Sequence, residues 1–494
     1  MYRSRPKGNL DKDVLNFLSS MKDDDPILHY DLVGSQAHSI MLYEMGHLTL
    51  TELQKILKSL EEIKENPIVL ADGEEFEDIH ESIESYVIKK AGGDAGGKMH
   101  TARSRNDQVI LDIRMKVRDD INNLCLALAN LIESLLLKAE EYKDIPMPMY
   151  THTQQAQIGT FSHFLTSYTD ALFRDMERLY IAYGRINQSP LGACAIGGTS
   201  IKIDRKMTAE LLGFDSVVRN SIDATSSRDA LIEYVGTLSV LATTLGRVAE
   251  DFILWSTSEF GYIELADEQS STSSAMPQKK NPDPLELVRA KSGSVIGSLV
   301  RILCTVKGLP SGYSRDLQDL KPAIWQATTA ISGSIKVMEK VVRSIQVNKG
   351  RMQDAAKNSY AISLDIAEQL VARKGLAFRT AHKIVGSLVE EAVQKGNMPL
   401  AMLGAPDIAQ VVKKQGSQLD ADELMQIIKE VTPVKSLALR SSLGSPNPKE
   451  QEEAIQLSIR SLSGFKTGIQ KRIDKVDTAF KSLSDSVQEY LRTS

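Results

Sequence analysis

Ile110, Ile113, Val117, Ile121, Leu124, Leu128, Leu131 and Leu135 follow one another at intervals of three or four residues. A strand would repeat every second residue, so this spacing commits the stretch to a helix with one apolar stripe. Such a stripe is buried only against other helices, and the chain is thereby directed toward a long-helix bundle. The helix should end near Tyr142, ahead of Pro146 and Pro148. A second is expected from about Thr151 to Tyr183. A third, from about Ser226 to Glu264, carries Leu231, Val235, Leu238, Leu241, Leu245, Val248, Phe252 and Trp255, and a fourth should run from Pro284 to about Lys307. At about 1.5 Å of rise per residue these helices exceed the width of a compact domain, which suggests a bundle shared between subunits. The spacing alone also fits a bundle within one chain.

With 494 residues the chain is too long for one ordinary core. The Gly-rich connection from Ala91 to Gly97 marks one boundary, and from Met352 onward the helical pattern is shorter and broken by Gly404-Ala-Pro406 and Gly444-Ser-Pro446-Asn-Pro448. The expected division is residues 1–104, mainly helical; 105–351, the long-helix bundle; and 352–494, a small helical domain. Hydrophobic residues make up 42% and charged residues 25%, a globular mix, and aromatics only 5%. A net charge of −5 gives no footprint for nucleic acid. Cys125, Cys194 and Cys304 are widely spaced, which favours packed free thiols over metal ligation. The first seven residues lack an apolar leader, and no uninterrupted apolar stretch is long enough to span a bilayer, so no membrane partner and a cytoplasmic location are expected.

Two segments carry chemistry. Residues 270–284, Ser-Ser-Thr-Ser-Ser-Ala-Met-Pro-Gln-Lys-Lys-Asn-Pro-Asp-Pro, gather small hydroxyls, two ammonium groups and a carboxamide, and their three prolines exclude a regular helix. They fit a mobile lid over an anion site, spanning 267–284, or an ordinary polar connection. His100-Thr-Ala-Arg-Ser-Arg-Asn-Asp-Gln108 precedes the first apolar stripe, so its side chains gather at a helix N-terminus. Arg103 and Arg105 offer forked donors for a carboxylate and Asn106 can orient it; the same segment also fits a solvated cap, with Ser104 or Asp107 as the capping residue. Among the histidines, His80 and His100 lie in polar segments able to line a site, and His29, His38, His47, His163 and His382 read as structural. The acidic run Glu77-Asp-Ile-His80-Glu-Ser-Ile-Glu84 could suggest metal ligation.

Ser273-Ser-Ala-Met-Pro-Gln-Lys-Lys-Asn-Pro282 resembles the signature of the fumarase/aspartase superfamily, whose members eliminate a group from a succinyl unit and release fumarate. The 100–108 string is similar to that of the argininosuccinate lyase family, as are Thr151-His152-Thr-Gln154, Asn220-Ser-Ile-Asp-Ala, Arg247-Val-Ala-Glu-Asp251, the stretch from Lys307 to Lys321, and Phe378-Arg-Thr-Ala-His382. Ala102 and Thr272 stand where the family has Gly, Gln155 where it has Arg, and Ile158 where it has Pro. The resemblance implies an all-α, three-domain fold whose central bundle assembles into a homotetramer with sites drawn from three subunits, without cofactor or metal. It implies reversible anti elimination of argininosuccinate to arginine and fumarate, the last step of arginine biosynthesis. Ser273 and His152 map onto proton abstraction and donation, with Ser273 favoured as the abstracting group, and Lys279 and Asn281 onto stabilisation of the aci-carboxylate. The substrate contacts carried over are Ser20, Asn106, Thr151, Asn281, Tyr313, Gln318 and Lys321, with Arg103 and Arg105 as anchors. A sister enzyme acting on adenylosuccinate, and a structural paralogue like the lens crystallins, are the alternatives.

Overall fold

A computed structural model of the chain describes residues 11–71 and 76–493; the stretch read for a leader lies outside the described residues. Three helices, α1 (Leu28–Glu44), α2 (Leu50–Glu65) and α3 (Ile79–Ala91), close over a cluster that includes the fully buried Leu53, Ile56, Leu57, Leu60 and Ile83. Gly34 permits the close crossing of α1 on the next long helix, since a Cβ there would lie 3.1 Å from Leu111 Cδ2.

That helix, α4 (Arg105–Glu141), begins at a capping box in which Ser104 and Asp107 bond each other's backbone. Every residue of the predicted stripe from Ile110 to Leu135 is at most 2% exposed. The second expectation needs correction at its start. Instead of continuing in helix from Thr151, the chain forms an antiparallel hairpin of β1 (Pro146–Thr151) and β2 (Gln154–Thr160). Gly159 packs so tightly on Met149 that a Cβ would lie 2.6 Å from its Sδ, and Thr160 caps the following helix by accepting from the His163 amide at 3.0 Å. Helix α5 (Phe161–Ile186) therefore starts ten residues late.

The third long helix, α6 (Asp229–Ser256), ends short of the expected Glu264 because Thr257 turns to extended backbone and Gly261 adopts φ 61°. Two short strands, β3 (Ser271–Thr272) and β4 (Lys280–Asn281), pair around the Ser-Pro-Lys segment. Helix α7 (Asp283–Val306) follows as expected, with proline in its first turn. A fifth long helix, α8 (Leu320–Ser344), which the sequence pattern did not single out, joins the bundle core. Then α9 (Ser363–Lys374), α10 (Phe378–Gln394) and α11 (Pro433–Leu439) contribute to a separate apolar cluster.

The last helix, α12 (Pro448–Arg492), corrects the expectation of a small broken domain running to the C-terminus: it is 45 residues long. Its Ile455, Leu462 and Ile469 belong to the bundle core, and Leu483 and Val487 to the N-terminal cluster. Another expectation concerned membranes. Among the described residues, α4 is the one helix long and apolar enough to cross a bilayer, but its apolar stripe is spent on the bundle core.

Side-chain contacts fix the helix directions. Arg114 Nη1 donates to the carbonyl of Arg185 at 2.8 Å, so α5 runs against α4; Arg289 near the start of α7 pairs with Glu250 near the end of α6, while Leu299 lies against Gly236 near the start of α6, so α7 runs against α6. Lys116 lies 5.6 Å from the Trp325 ring while Arg343 Nε donates to Ser134 Oγ at 3.1 Å, so α4 and α8 run the same way. The bundle thus has one end where α4 and α8 begin and another where they finish.

Candidate active site

At the first end, the loop before α4 passes through Ala102 with φ 59°, the left-handed region that the glycine of related sequences would enter freely. That turn sends Arg103 inward and Arg105 outward. Arg103 is 5% exposed, and its Nη1 donates to Ser35 Oγ at 3.0 Å, so it anchors a buried network rather than an open subsite. Arg105 Nη1 stands 3.3 Å from Asp78 Oδ2, and Asn106 Nδ2 donates to the Ala195 carbonyl at 3.0 Å. Ser104 Oγ accepts from the Asn106 amide at 3.2 Å, and Asp107 accepts from the Ser104, Gly192 and Cys194 amides. The α4 N-terminus is therefore capped internally, as the second reading of that segment allowed. His100, Glu84, Ser104 and Arg105 line a cavity of about 530 Å³.

Ser20, Tyr313, Gln318 and Lys321 also gather at this end. Lys321 is fully buried, forms an ion pair with Asp24 and donates to Ser20 Oγ at 3.3 Å, while Ser20 Oγ donates to Asp24 Oδ2 at 2.7 Å. Gln318 Nε2 donates to the Tyr313 hydroxyl at 2.6 Å, and Arg315 ties the segment to Glu77 and to the Leu18 carbonyl. The carboxylates of Asp24 and Asp78 are functional candidates that the sequence reading missed; the spacing of Asp24 four residues after Ser20 was the available signal.

The acidic run around His80 does not bring its own residues together as ligands. His80 Nδ1 lies 2.6 Å from Asp31 Oδ2 and 3.6 Å from Asp112 Oδ2. Asp31 Oδ1 is taken by Gln108 Nε2 at 2.7 Å and Ser35 Oγ at 3.1 Å, so His80, Asp31, Gln108 and Ser35 form a hydrogen-bonded network beside Asp112, whose two buried carboxylate oxygens accept no hydrogen bond from the described residues. Burial opposes charge on His80, but the Asp31 carboxylate outweighs it and raises the pKa of the imidazole. Burial, and then the Asp31 charge, hold Asp112 well above the carboxylate range.

Thr151, His152, Ser273, Lys279 and Asn281 stand at the opposite end. Thr151 pairs with Gln154 across a two-residue turn in which His152 has φ 53° and Thr153 φ 58°, leaving His152 exposed at the hairpin tip. In the 267–284 segment, Ser271 pairs with Asn281 and Thr272 with Lys280. Thr272 lies in this extended pairing and has no positive φ, so the loss of glycine there imposes no left-handed strain. Ser273 Oγ accepts from the amides of Ala275 at 3.3 Å and Met276 at 3.1 Å. Two amide donors on one hydroxyl oxygen favour its alkoxide, which an unaided serine cannot reach. Lys280 is held by Asp267 at 2.8 Å and Glu264 at 3.1 Å, whereas Lys279 is exposed and lines, with Asn281 and Lys349, an open cavity of about 1180 Å³.

The two ends are far apart in one chain. Lys321 lies in the first turn of α8, and Ser344, which closes it, donates to Gln269 at the root of the 267–284 segment; 23 helical steps place them about 35 Å apart. The 24-residue α7 likewise separates Asn281 from Tyr313. No single chain brings the predicted residues into one site.

The chain matches known proteins over most of its length. A family model described as Lyase covers residues 6–297, and one described as Argininosuccinate lyase C-terminal covers residues 360–435. An argininosuccinate lyase of Nitrosopumilus maritimus strain SCM1 is 48% identical over 491 residues, which is 99% of this chain and all of that protein. Another, of Methanothrix thermoacetophila, is 40% identical over 99% of this chain and 98% of its own. Among solved structures, an EDDS lyase in complex with formate superposes with a TM-score of 0.87 at 30% identity, covering 97% of this chain and 94% of its own. A class II fumarase from Schistosoma mansoni shares the fold, with a TM-score of 0.69 at 16% identity over 83% of this chain and 90% of its own.

Proposed function

The chain belongs to the argininosuccinate lyase family of the fumarase/aspartase superfamily, and we propose how it carries out the reversible cleavage of argininosuccinate to arginine and fumarate, the last step of arginine biosynthesis. Each site is completed between subunits of a homotetramer. The separation of the two groups along α7 and α8 carries this reading, because an antiparallel neighbour related by a two-fold axis would bring the lid end of one bundle beside the Lys321 end of another. Leu287, Ile296, Val300 and Leu303 on α7 and Val240 on α6 are exposed, and together with Gly293 and Gly297 they offer an apolar face smooth enough for close helix packing.

Cleavage removes a Cβ proton, forms the Cα=Cβ double bond and breaks the bond from carbon to the guanidinium nitrogen. Deprotonation next to a carboxylate builds a doubly charged aci-carboxylate, so the largest barrier reduction comes from donors fixed at that group. Lys279 and Asn281 supply them from the lid. Ser273, with two amides on its oxygen, takes the proton, and His152 serves the departing nitrogen directly or through water. Ser20, Asn106, Thr151, Tyr313, Gln318 and Lys321 hold the substrate, with Arg105 at its carboxylates and Arg103 as internal support. The polypeptide works in the cytoplasm on a small molecule, without nucleic acid, membrane, metal or cofactor.

Fumarate absorbance in the presence of purified protein and argininosuccinate tests this reading. Lys279→Met should lower kcat by roughly 100-fold or more; an unchanged rate refutes the role of Lys279. Activity confined to adenylosuccinate would overturn the substrate, and absence of turnover on either would favour a structural paralogue.

A further inference from the structure

The hairpin that presents His152 is held from outside the bundle. In β2 the Ile158 carbonyl accepts from Arg440 Nη1 at 2.5 Å. Nη2 of the same guanidinium lies 3.3 Å from both carboxylate oxygens of Asp365 in α9, and Ser436 in α11 donates to Asp365 Oδ2 at 2.7 Å. The Arg440 side chain is 10% exposed and that of Asp365 2%. The Ile158 side chain, in place of the family's proline, is fully buried in the cluster built by α9, α10 and α11. Two residues on, Thr160 Oγ1 donates to Gln451 Oε1 at 2.5 Å, and Gln451 in α12 donates in turn to the Pro446 carbonyl at 2.7 Å.

Strand pairing alone specifies this hairpin weakly. Pro146 and Pro148 withhold ladder donors from β1, and the register shifts between Pro148 and Tyr150. A slip of one residue would displace the tip by about 3.3 Å, whereas a 1 Å misplacement of a reacting group can cost on the order of 100-fold in rate. A guanidinium divides its fork between a carboxylate and a peptide oxygen; an ammonium is a single point and cannot reproduce that bridge.

We propose that Arg440 is a positioning residue for the lyase reaction: by clamping the Ile158 carbonyl to the buried Asp365, it fixes where the hairpin places His152. The inference rests on the reading that His152 takes part in proton transfer. Steady-state kinetics on Arg440→Gln, Arg440→Lys, His152→Asn and the His152→Asn/Arg440→Gln double variant test it, with assembly checked by gel filtration and circular dichroism. Arg440→Gln should lower kcat roughly 10- to 100-fold with KM within about threefold, and should cost less than about twofold when added to His152→Asn. Arg440→Lys should recover only part of the rate, and it replaces Arg440→Gln in the cycle if the latter fails to assemble. An equal loss in both backgrounds would show a general effect on folding and overturn the proposal, as would wild-type kcat in the Arg440 variants beside a slow His152→Asn. A wild-type rate for His152→Asn itself would remove the reading of His152, and this inference with it.

Discussion

Of the five described residues other than glycine with left-handed backbone, three lie where the site elements turn, Ala102 before α4 and His152 with Thr153 at the hairpin tip; Cys194 and Asn397 are the others. Such conformations cost of order 1–3 kcal/mol and persist only where the surroundings impose them. At Ala102 the cost serves to turn Arg103 inward and Arg105 outward. Ala102→Gly relieves that strain, offset by the greater freedom of glycine in the unfolded chain, and should raise stability by about 0.5–1 kcal/mol, read as an increased urea midpoint. An unchanged or lower midpoint would show that Ala102 is at ease. Two histidines nearby report on pH. Burial, and then Arg103, hold His38 down to about 3; burial, Arg103 and Arg105 hold His100 down to about 4. Both are depressed below the unfolded value of 6.5, so the unfolded chain takes up protons that the native state refuses as pH falls from 6.5 toward 4. Each should cost up to roughly 2 kcal/mol by pH 5, and His100→Gln should flatten the fall of the urea midpoint over that window.

Among the elements, α4 and α12 illustrate opposite degrees of legibility. Helix α4 announces itself by a double stripe at threes and fours. In α12 the buried Ile455, Leu462, Ile469, Val476 and Leu483 recur only every seventh residue amid polar neighbours, a narrow seam that reads as solvated helix unless the sevens are counted. The helix matters nonetheless, because it binds the bundle core to the N-terminal cluster: Arg472 lies 3.4 Å from the Tyr180 ring and Gln54 Nε2 donates to the Tyr490 carbonyl at 2.9 Å. Ile469→Ala removes a side chain 1% exposed and should destabilise the protein by about 2–5 kcal/mol, measured by urea unfolding. A loss below about 0.5 kcal/mol, the range of surface substitutions, would mean that the seam is not packed.

For the whole molecule, the separation of the two groups of site residues predicts complementation between inactive variants. Lys279→Met damages one end of the bundle and Asn106→Ala the other. Co-refolded at equal amounts, the two should give oligomers in which on the order of a quarter of the sites draw both ends from intact copies, and activity should reappear. If the mixture stays as inactive as its parents while mixed oligomers form, the sites are not shared.

The polypeptide by itself determined four of the long helices, though neither α8 nor α12, and the chemical strings, because three-four periodicity, proline placement and motif order are properties of consecutive residues. It also exposed both readings of the α4 N-terminus, where Ser104 and Asp107 take the capping role. The hairpin in place of helix at Thr151, the inward turn of Arg103, and the buried partners Asp24, Asp31, Asp112 and Asp365 were decided only in three dimensions. Lys321 meets Ser20 across 301 residues and Arg440 meets Ile158 across 282. Contacts over such separations form because burying a charge demands a partner, and which partner is near depends on how the helices pack.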